Sequence, residues 1–327
     1  MTSNHEGVID ATNYNFDPTF GYTLNQLLAV KTPKEPKDFE DFWINRYQKA
    51  LAVDAKPSTR LVTEDKLGWR VFEIAYSSTD NFPIRGWLLL PKSGVIKRGF
   101  VIGHGYGGGD EPDYHFPFKD AALLFLCFRG LALSAQPGIS AEPCWHVLHD
   151  INQKERYILG GCVEDIWLAV SAMLSLFPGL AGHLGYMGIS FGGGIGALAL
   201  AWESRISKGH LNVPTFGHYL LRLQLASNGS AKSVQQYYLT HKKQALKVLR
   251  YYDAALAAKH IDMPMHCACA KFDPCVAPPG QFAIYNAIAS EKQLFILDAG
   301  HHDYLNQAQQ DNELMIQLDV FFRSISE

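Results

Sequence analysis

The chain has 327 residues, with 29 Lys and Arg against 32 Asp and Glu, for a formal net charge of −3. Hydrophobic residues make up 47% and aromatic ones 12%, which excludes disorder as the main state and supplies a core that needs neither disulfide nor metal staples. The near-neutral balance leaves no basic footprint for nucleic acid, and no run nears the roughly 18 apolar residues of a membrane-spanning helix.

Residues 1–34 show little periodicity and read as an N-terminal arm. Their start, MTSNHEGVIDATNYN, has neither the basic nor the apolar region of a secretory signal. From Lys37 the pattern turns helical, with Phe39, Phe42, Trp43, Tyr47 and Ala50 on one face. Trp69–Tyr76 alternates as a half-buried strand does, and Ile84–Leu90 follows an Asp-Asn turn and stops at Pro91, so the two predict an antiparallel pair. The rhythm then changes. Gly99–Ile102 and Ala122–Phe128 are short and continuously apolar, the mark of parallel strands buried on both faces. Val163, Ile166, Trp167, Val170, Leu174 and Phe177 step by three and four along a helix. Strand Leu184–Met187, helix Phe191–Trp202, strand Pro264–Ala270, helix Pro278–Ala289, strand Gln293–Leu297 and a helix over Asn312–Ile325 complete the alternation. A helical insert occupies about 216–260. This order predicts an α/β fold, with a mostly parallel central sheet and helices on both faces, in a single domain over 35–327. Six cysteines, mostly inside apolar segments, read as reduced core thiols, and the chain is expected to be cytoplasmic.

Chemistry concentrates at three places. Gly188-Ile189-Ser190-Phe191-Gly192 is a G-x-S-x-G motif set between an apolar strand and a helix of small residues. A serine on such a sharp turn is pushed above the sheet edge, beside the free N–H groups of a helix start. As a competing reading, the turn is merely glycine-rich and Ser190 incidental. A nucleophilic serine needs an acid and a base later in the chain. Asp273 follows strand Pro264–Ala270, and His301 and His302 follow strand Gln293–Leu297. All of them thus sit at the carboxyl ends of strands, where open α/β sheets bind ligands. The plainer alternatives are an Asp273 that only caps its Asp-Pro turn and histidines that only pack.

His104-Gly105-Tyr106-Gly107-Gly108-Gly109 is similar to loops whose backbone completes an oxyanion hole, with N–H groups expected from Tyr106 and Phe191. No G-K-[ST] or G-x-G-x-x-G supports a phosphate or dinucleotide loop instead. His104 reads as structural, and Arg129 either pins a loop beside the site or forms a surface ion pair. Adjacent His301, His302 and Asp303 make a poor metal site, and His266, Cys267 and Cys269 read as strand residues rather than zinc ligands. No metal or organic cofactor is called for.

The DFEDFW helix, the RGWLLLP strand, GYGGG, Arg129-Gly130, GISFGGG, LRYYDAALAA and FDPCVAPPGQFAIYN run collinearly from about Phe39 to Phe322. Together they resemble the acetyl xylan esterase / cephalosporin-C deacetylase family of α/β-hydrolases, carbohydrate esterase family seven. The resemblance implies an α/β-hydrolase fold and a serine esterase removing short acyl groups, chiefly acetyl, from small sugars or related compounds. It implies Ser190 as nucleophile, Asp273 as acid, and the N–H groups of Tyr106 and Phe191 as oxyanion hole. Aligned without gaps from Asp273, the family's His-Glu pair falls on His302-Asp303 and names His302 as base; a general reading of Ala-Gly-His names His301. Phe191 and Leu131 stand where the family usually has glutamines, implying a more apolar pocket wall. The resemblance also implies a homo-oligomer, a hexamer. The competing functions are a thioesterase or peptidase of the same fold and a non-catalytic binding protein.

Overall fold

The computed structural model describes residues 14–326; the first thirteen residues of the expected arm lie outside the described residues. One sheet of nine strands runs through the molecule in the order β1-β2-β3-β5-β4-β6-β7-β8-β9. The strands are β1 (Ser58–Lys66), β2 (Trp69–Ser77), β3 (Pro83–Pro91), β4 (Arg98–Gly103), β5 (Ala121–Leu126), β6 (Leu184–Ile189), β7 (Lys208–Asn212), β8 (Met265–Phe272) and β9 (Lys292–Ala299). Around them lie α1 (Leu24–Leu28), α2 (Phe39–Leu51), α3 (Pro143–His146), α4 (Ile158–Leu176), α5 (Phe191–Leu200), α6 (Tyr219–Gln224), α7 (Ser230–Leu249), α8 (Ala254–Ala257), α9 (Pro278–Ala287) and α10 (Gln307–Phe322).

The antiparallel part is β1-β2-β3-β5. Strands β2 and β3 pair without a slip from Trp69 opposite Pro91 to Ser77 opposite Pro83. The pairs β4–β5, β4–β6, β6–β7, β7–β8 and β8–β9 are parallel. Alternation divides the core in two. Val101, Tyr186, Leu211, Cys267 and Cys269 point to a face covered by α2, α4, α5, α8 and α9. Phe100, Met187, Ala268 and Phe295 point to the other, covered by Leu314, Leu318, Phe321 and Phe322 of α10. The long apolar helix α4 is buried along nearly its whole length between sheet, α2 and α5, so its apolarity goes into the core.

Two strands are absent from the sequence reading, β1 and β7. β1 is an exposed edge whose side chains bury almost nothing, and its register slips between Leu61 and Thr63. β7, Lys-Gly-His-Leu-Asn, is short, carries a glycine and has no β-branched residue. Both lack the hydrophobic pattern that marks a strand and owe their extension to their neighbours. Within residues 14–34, α1 is closed by a capping box on Thr23 and buries Leu27. Asn286 Nδ2, on α9, donates to the Leu27 and Val30 carbonyls at 2.9 and 3.0 Å and ties this segment down.

Candidate active site

Ser190 occupies the turn from β6 into α5 with φ 52° and ψ −108°, a left-handed conformation that a non-glycine residue adopts only where its surroundings impose it. The Ser190 N–H donates to the Asn212 carbonyl at 2.8 Å, and the Ser190 carbonyl accepts from Gly194 and Thr215 at 3.0 and 3.1 Å. A Cβ at Gly188 would overlap the Gly192 carbonyl, and one at Gly192 the Gly103 carbonyl. The motif's two glycines are therefore the contact points at which helix, strand and the β4 loop close on one another.

Asp273 is fully buried just past β8, and every hydrogen bond it accepts fixes its orientation. Oδ1 accepts from the Cys275 and Val276 N–H groups at 2.9 and 2.8 Å, while Oδ2 accepts from Gln281 Nε2 at 2.9 Å and from His301 Nδ1 at 2.8 Å. His301 Nε2 lies 2.8 Å from Ser190 Oγ. Serine, histidine and aspartate thus form one hydrogen-bonded chain. Burial disfavours the charged ring, but the hydrogen bond His301 donates to Asp273 and the carboxylate's charge outweigh that, and the His301 pKa is raised above the ordinary histidine value.

This corrects the base expected from the resemblance: the histidine beside Ser190 is His301, not His302. His302 Nδ1 meets the Tyr14 hydroxyl at 2.9 Å, and its ring packs on Tyr14 and Phe272. His301 has a positive φ of 49°, and its ring meets Asp273 and Ser190 while the ring of the next residue meets Tyr14. Gly300 assists, since a Cβ there would press on Asp273 Oδ2 at 2.6 Å.

The β4 loop crosses the start of α5. The Gly192 N–H donates to the His104 carbonyl at 2.9 Å, so the second N–H of the helix is consumed in holding the loop. Among the described residues, no carbonyl of the fold engages the N–H of Tyr106 or of Phe191, the first residue of α5. His104 is structural: Nδ1–H donates to its neighbour's carbonyl at 2.7 Å, Nε2 accepts from Phe128 N–H at 3.3 Å, and burial lowers its pKa.

Phe191 is corrected as a pocket wall. Its ring is fully buried among Tyr106, Phe128, His146 and Phe216, and Leu131 is buried too. Arg129 is not a surface residue either. It is buried against Asp165, with Nη2 2.6 Å from Oδ1, and also donates to Ser78 and Thr79 hydroxyls. Its carbonyl accepts from His146 Nε2 at 3.0 Å, and His146 Nδ1 accepts the Tyr106 hydroxyl at 2.9 Å. Burial holds His146 neutral, its pKa pushed down to about 4, which suits a ring that accepts on one side. The oxyanion-type loop is thereby anchored to the buried ion pair.

Two supporting residues escaped the sequence reading, Gln281 and Tyr14. Gln281 is fully buried, donates to Asp273 and the Val276 carbonyl, and accepts from Ala270 N–H. It stands in FDPCVAPPGQFAIYN, eight positions past the acid and one helical turn into α9, where a buried amide has few other uses. Among the described residues no His, Cys, Asp and Glu cluster could hold a metal, and all six cysteines are unpaired.

The acetyl xylan esterase (AXE1) family model matches residues 19–319. An acetyl xylan esterase from Paenibacillus sp. R4 superposes with a TM-score of 0.76 at 22% identity, over 91% of this chain and 99% of that one. Acetyl xylan esterase 1 from Thermoanaerobacterium sp. JW/SL YS485 gives 0.77 at 19% identity, over 93% and 99%. An acylaminoacyl peptidase from Pyrococcus horikoshii is similar at a TM-score of 0.58 and 16% identity, over 78% of this chain and 41% of that one. With the match spanning nearly its whole length, on an α/β-hydrolase fold, this chain belongs to the acetyl xylan esterase family and is a carboxylic-ester hydrolase.

Proposed function

We propose that the chain removes acetyl and similarly short acyl groups from small acetylated sugars or related alcohols through an acyl-enzyme on Ser190. The observation that carries this reading is the unbroken chain Ser190 Oγ, His301, Asp273, at 2.8 Å for each link. His301 Nε2 takes the hydroxyl proton as Oγ attacks the ester carbonyl, and Asp273 fixes the tautomer and stabilises the imidazolium. The N–H groups of Tyr106 and Phe191 receive the tetrahedral oxyanion, a donor of this kind contributing about 3 kcal/mol. His301 returns the proton to the departing alcohol oxygen. It then deprotonates a water that attacks the acyl carbon, releasing acetate and restoring Ser190. The acetoxy group of a cephalosporin presents the same reacting atoms and belongs in the same panel of substrates.

Hydrolysis of p-nitrophenyl esters tests the reading. Ser190→Ala is expected to lower kcat on the order of 10⁵-fold or more, and wild-type kcat/KM should fall from acetate to octanoate. Near-full activity of the variant would remove Ser190 as nucleophile. A rate that climbs with acyl length would favour a thioesterase-like substrate.

A further inference from the structure

The acid and the base leave the sheet on adjacent strands, just past the point where pairing stops. β7 pairs with β8 only as far as Ala268, and β9 only as far as Phe272, opposite Ala299. Asp273 therefore lies beyond both ladders, where a buried backbone N–H needs an acceptor from elsewhere. That acceptor comes from the opposite end of the chain. The Asp273 N–H donates to the carbonyl of Pro18, itself a buried residue, at 3.1 Å.

Earlier in the same segment, Tyr14 reaches the loop of the base. Its hydroxyl meets His302 Nδ1 at 2.9 Å, and its ring lies edge-on to those of His302 and Phe272, with centroids 5.7 and 6.0 Å away. Phe272 is the residue before the acid, and His302 is the residue after the base. Tyr14 is thus wedged between the two loops that hold Asp273 and His301 at 2.8 Å from one another. The segment is braced by its own contacts. Asp17 accepts from the Thr19 and Gly21 N–H groups at 2.8 and 3.2 Å, Phe16 stacks on Phe20, and the proline ring fixes φ at position 18. Further along, α1 is tied to α9, the helix that carries Gln281. Chain termini order only where they are tied down, and here two ties end on the acid's own backbone and on the base's neighbour.

We propose that residues 14–18 clamp the acid and base loops together, and that Tyr14 is a positioning residue for the hydrolysis, acting through His302 and Phe272 on the His301–Asp273 contact. The proposal rests on the reading of Ser190, His301 and Asp273 as the reacting chain. Among the described residues, Tyr14 has no hydrogen bond or ring contact with Ser190, Tyr106 or Phe191. The clamp therefore bears on turnover and leaves substrate binding alone.

Steady-state hydrolysis of p-nitrophenyl acetate by full-length variants tests it, with Ser190→Ala as the reference. Tyr14→Phe keeps the wedge and loses the hydroxyl, so kcat should fall about three- to tenfold, the worth of one neutral hydrogen bond, with KM held within about twofold. Tyr14→Ala removes the wedge as well and should lower kcat about 10- to 100-fold, again at constant KM. In a His302→Ala background, Tyr14→Phe should change kcat by less than about twofold, because the hydroxyl has lost the partner through which it acts. Circular dichroism melts check that each variant is folded at the assay temperature. Wild-type kcat in Tyr14→Phe and Tyr14→Ala, with Ser190→Ala inactive, would overturn the clamp and leave the reacting chain standing. So would a loss that appears in KM, or a Tyr14→Phe loss undiminished in the His302→Ala background. Activity retained by Ser190→Ala would instead remove the reacting chain, and the clamp with it.

Discussion

On one face of the sheet α2, α4, α5, α8 and α9 interlock, and on the other α10 lies over β8 and β9 while residues 104–120 cross without a helix. The catalytic geometry is borrowed from the closed face. Helix α5 begins at the nucleophile turn, α9 supplies Gln281 behind Asp273, and α4 supplies Asp165 beneath Arg129. The open face contributes room rather than rigidity, with its cavity beside β6. The difference teaches that packing in this fold is concentrated where side chains must be held to within a few tenths of an ångström.

Substitutions on the two faces should separate accordingly. The largest loss is expected from Asp165→Leu, which strands the buried Arg129 guanidinium without its partner. Breaking such a pair costs about 3–5 kcal/mol, read as a lowered urea midpoint. Gln281→Leu comes next, at about 1–3 kcal/mol, because it leaves a buried carboxylate oxygen and the Ala270 N–H short of partners. Since Gln281 orients Asp273, kcat should fall while KM holds. On the open face, Leu314→Met at the cavity edge should cost less than about 1.5 kcal/mol and leave turnover unchanged. Equal losses on both faces would erase the contrast.

The raised pKa of His301 gives the active site a pH signature. The base must be neutral, so kcat/KM is expected to be flat above that pKa and to fall tenfold per pH unit below it, with the bend above about 6.5. Stability runs the other way. A raised folded-state pKa contributes stability that is complete below the unfolded value and is lost as pH rises through the folded one. A bend well below the ordinary histidine value would contradict the His301–Asp273 contact.

The parallel strands other than β7, the serine turn and the acid were legible because each depends on local chemistry: continuous apolar runs, glycines at a steric crossing, and an Asp-Pro turn after a strand. β1 and β7 were not, as their extension comes from pairing and not from their own side chains. The choice between adjacent histidines was equally hidden. Spacing along the chain cannot distinguish neighbours, and the alignment without gaps pointed to His302, whereas the hydrogen bonds that single out His301 exist only in the folded chain. Arg129 illustrates a third kind of limit, because an arginine after a strand reads the same whether its carboxylate lies in solvent or, like Asp165, in the core.

The account stands on His301 linking Ser190 to Asp273, and separate replacement of the two histidines tests it most directly. With p-nitrophenyl acetate, His301→Ala should lower kcat/KM by several orders of magnitude, on the scale of losing the nucleophile. His302→Ala, which removes contacts with Tyr14 and Phe272 and none with Ser190, should cost less than about tenfold. The reverse pattern, with His302 indispensable and His301 expendable, would contradict the assignment of the base.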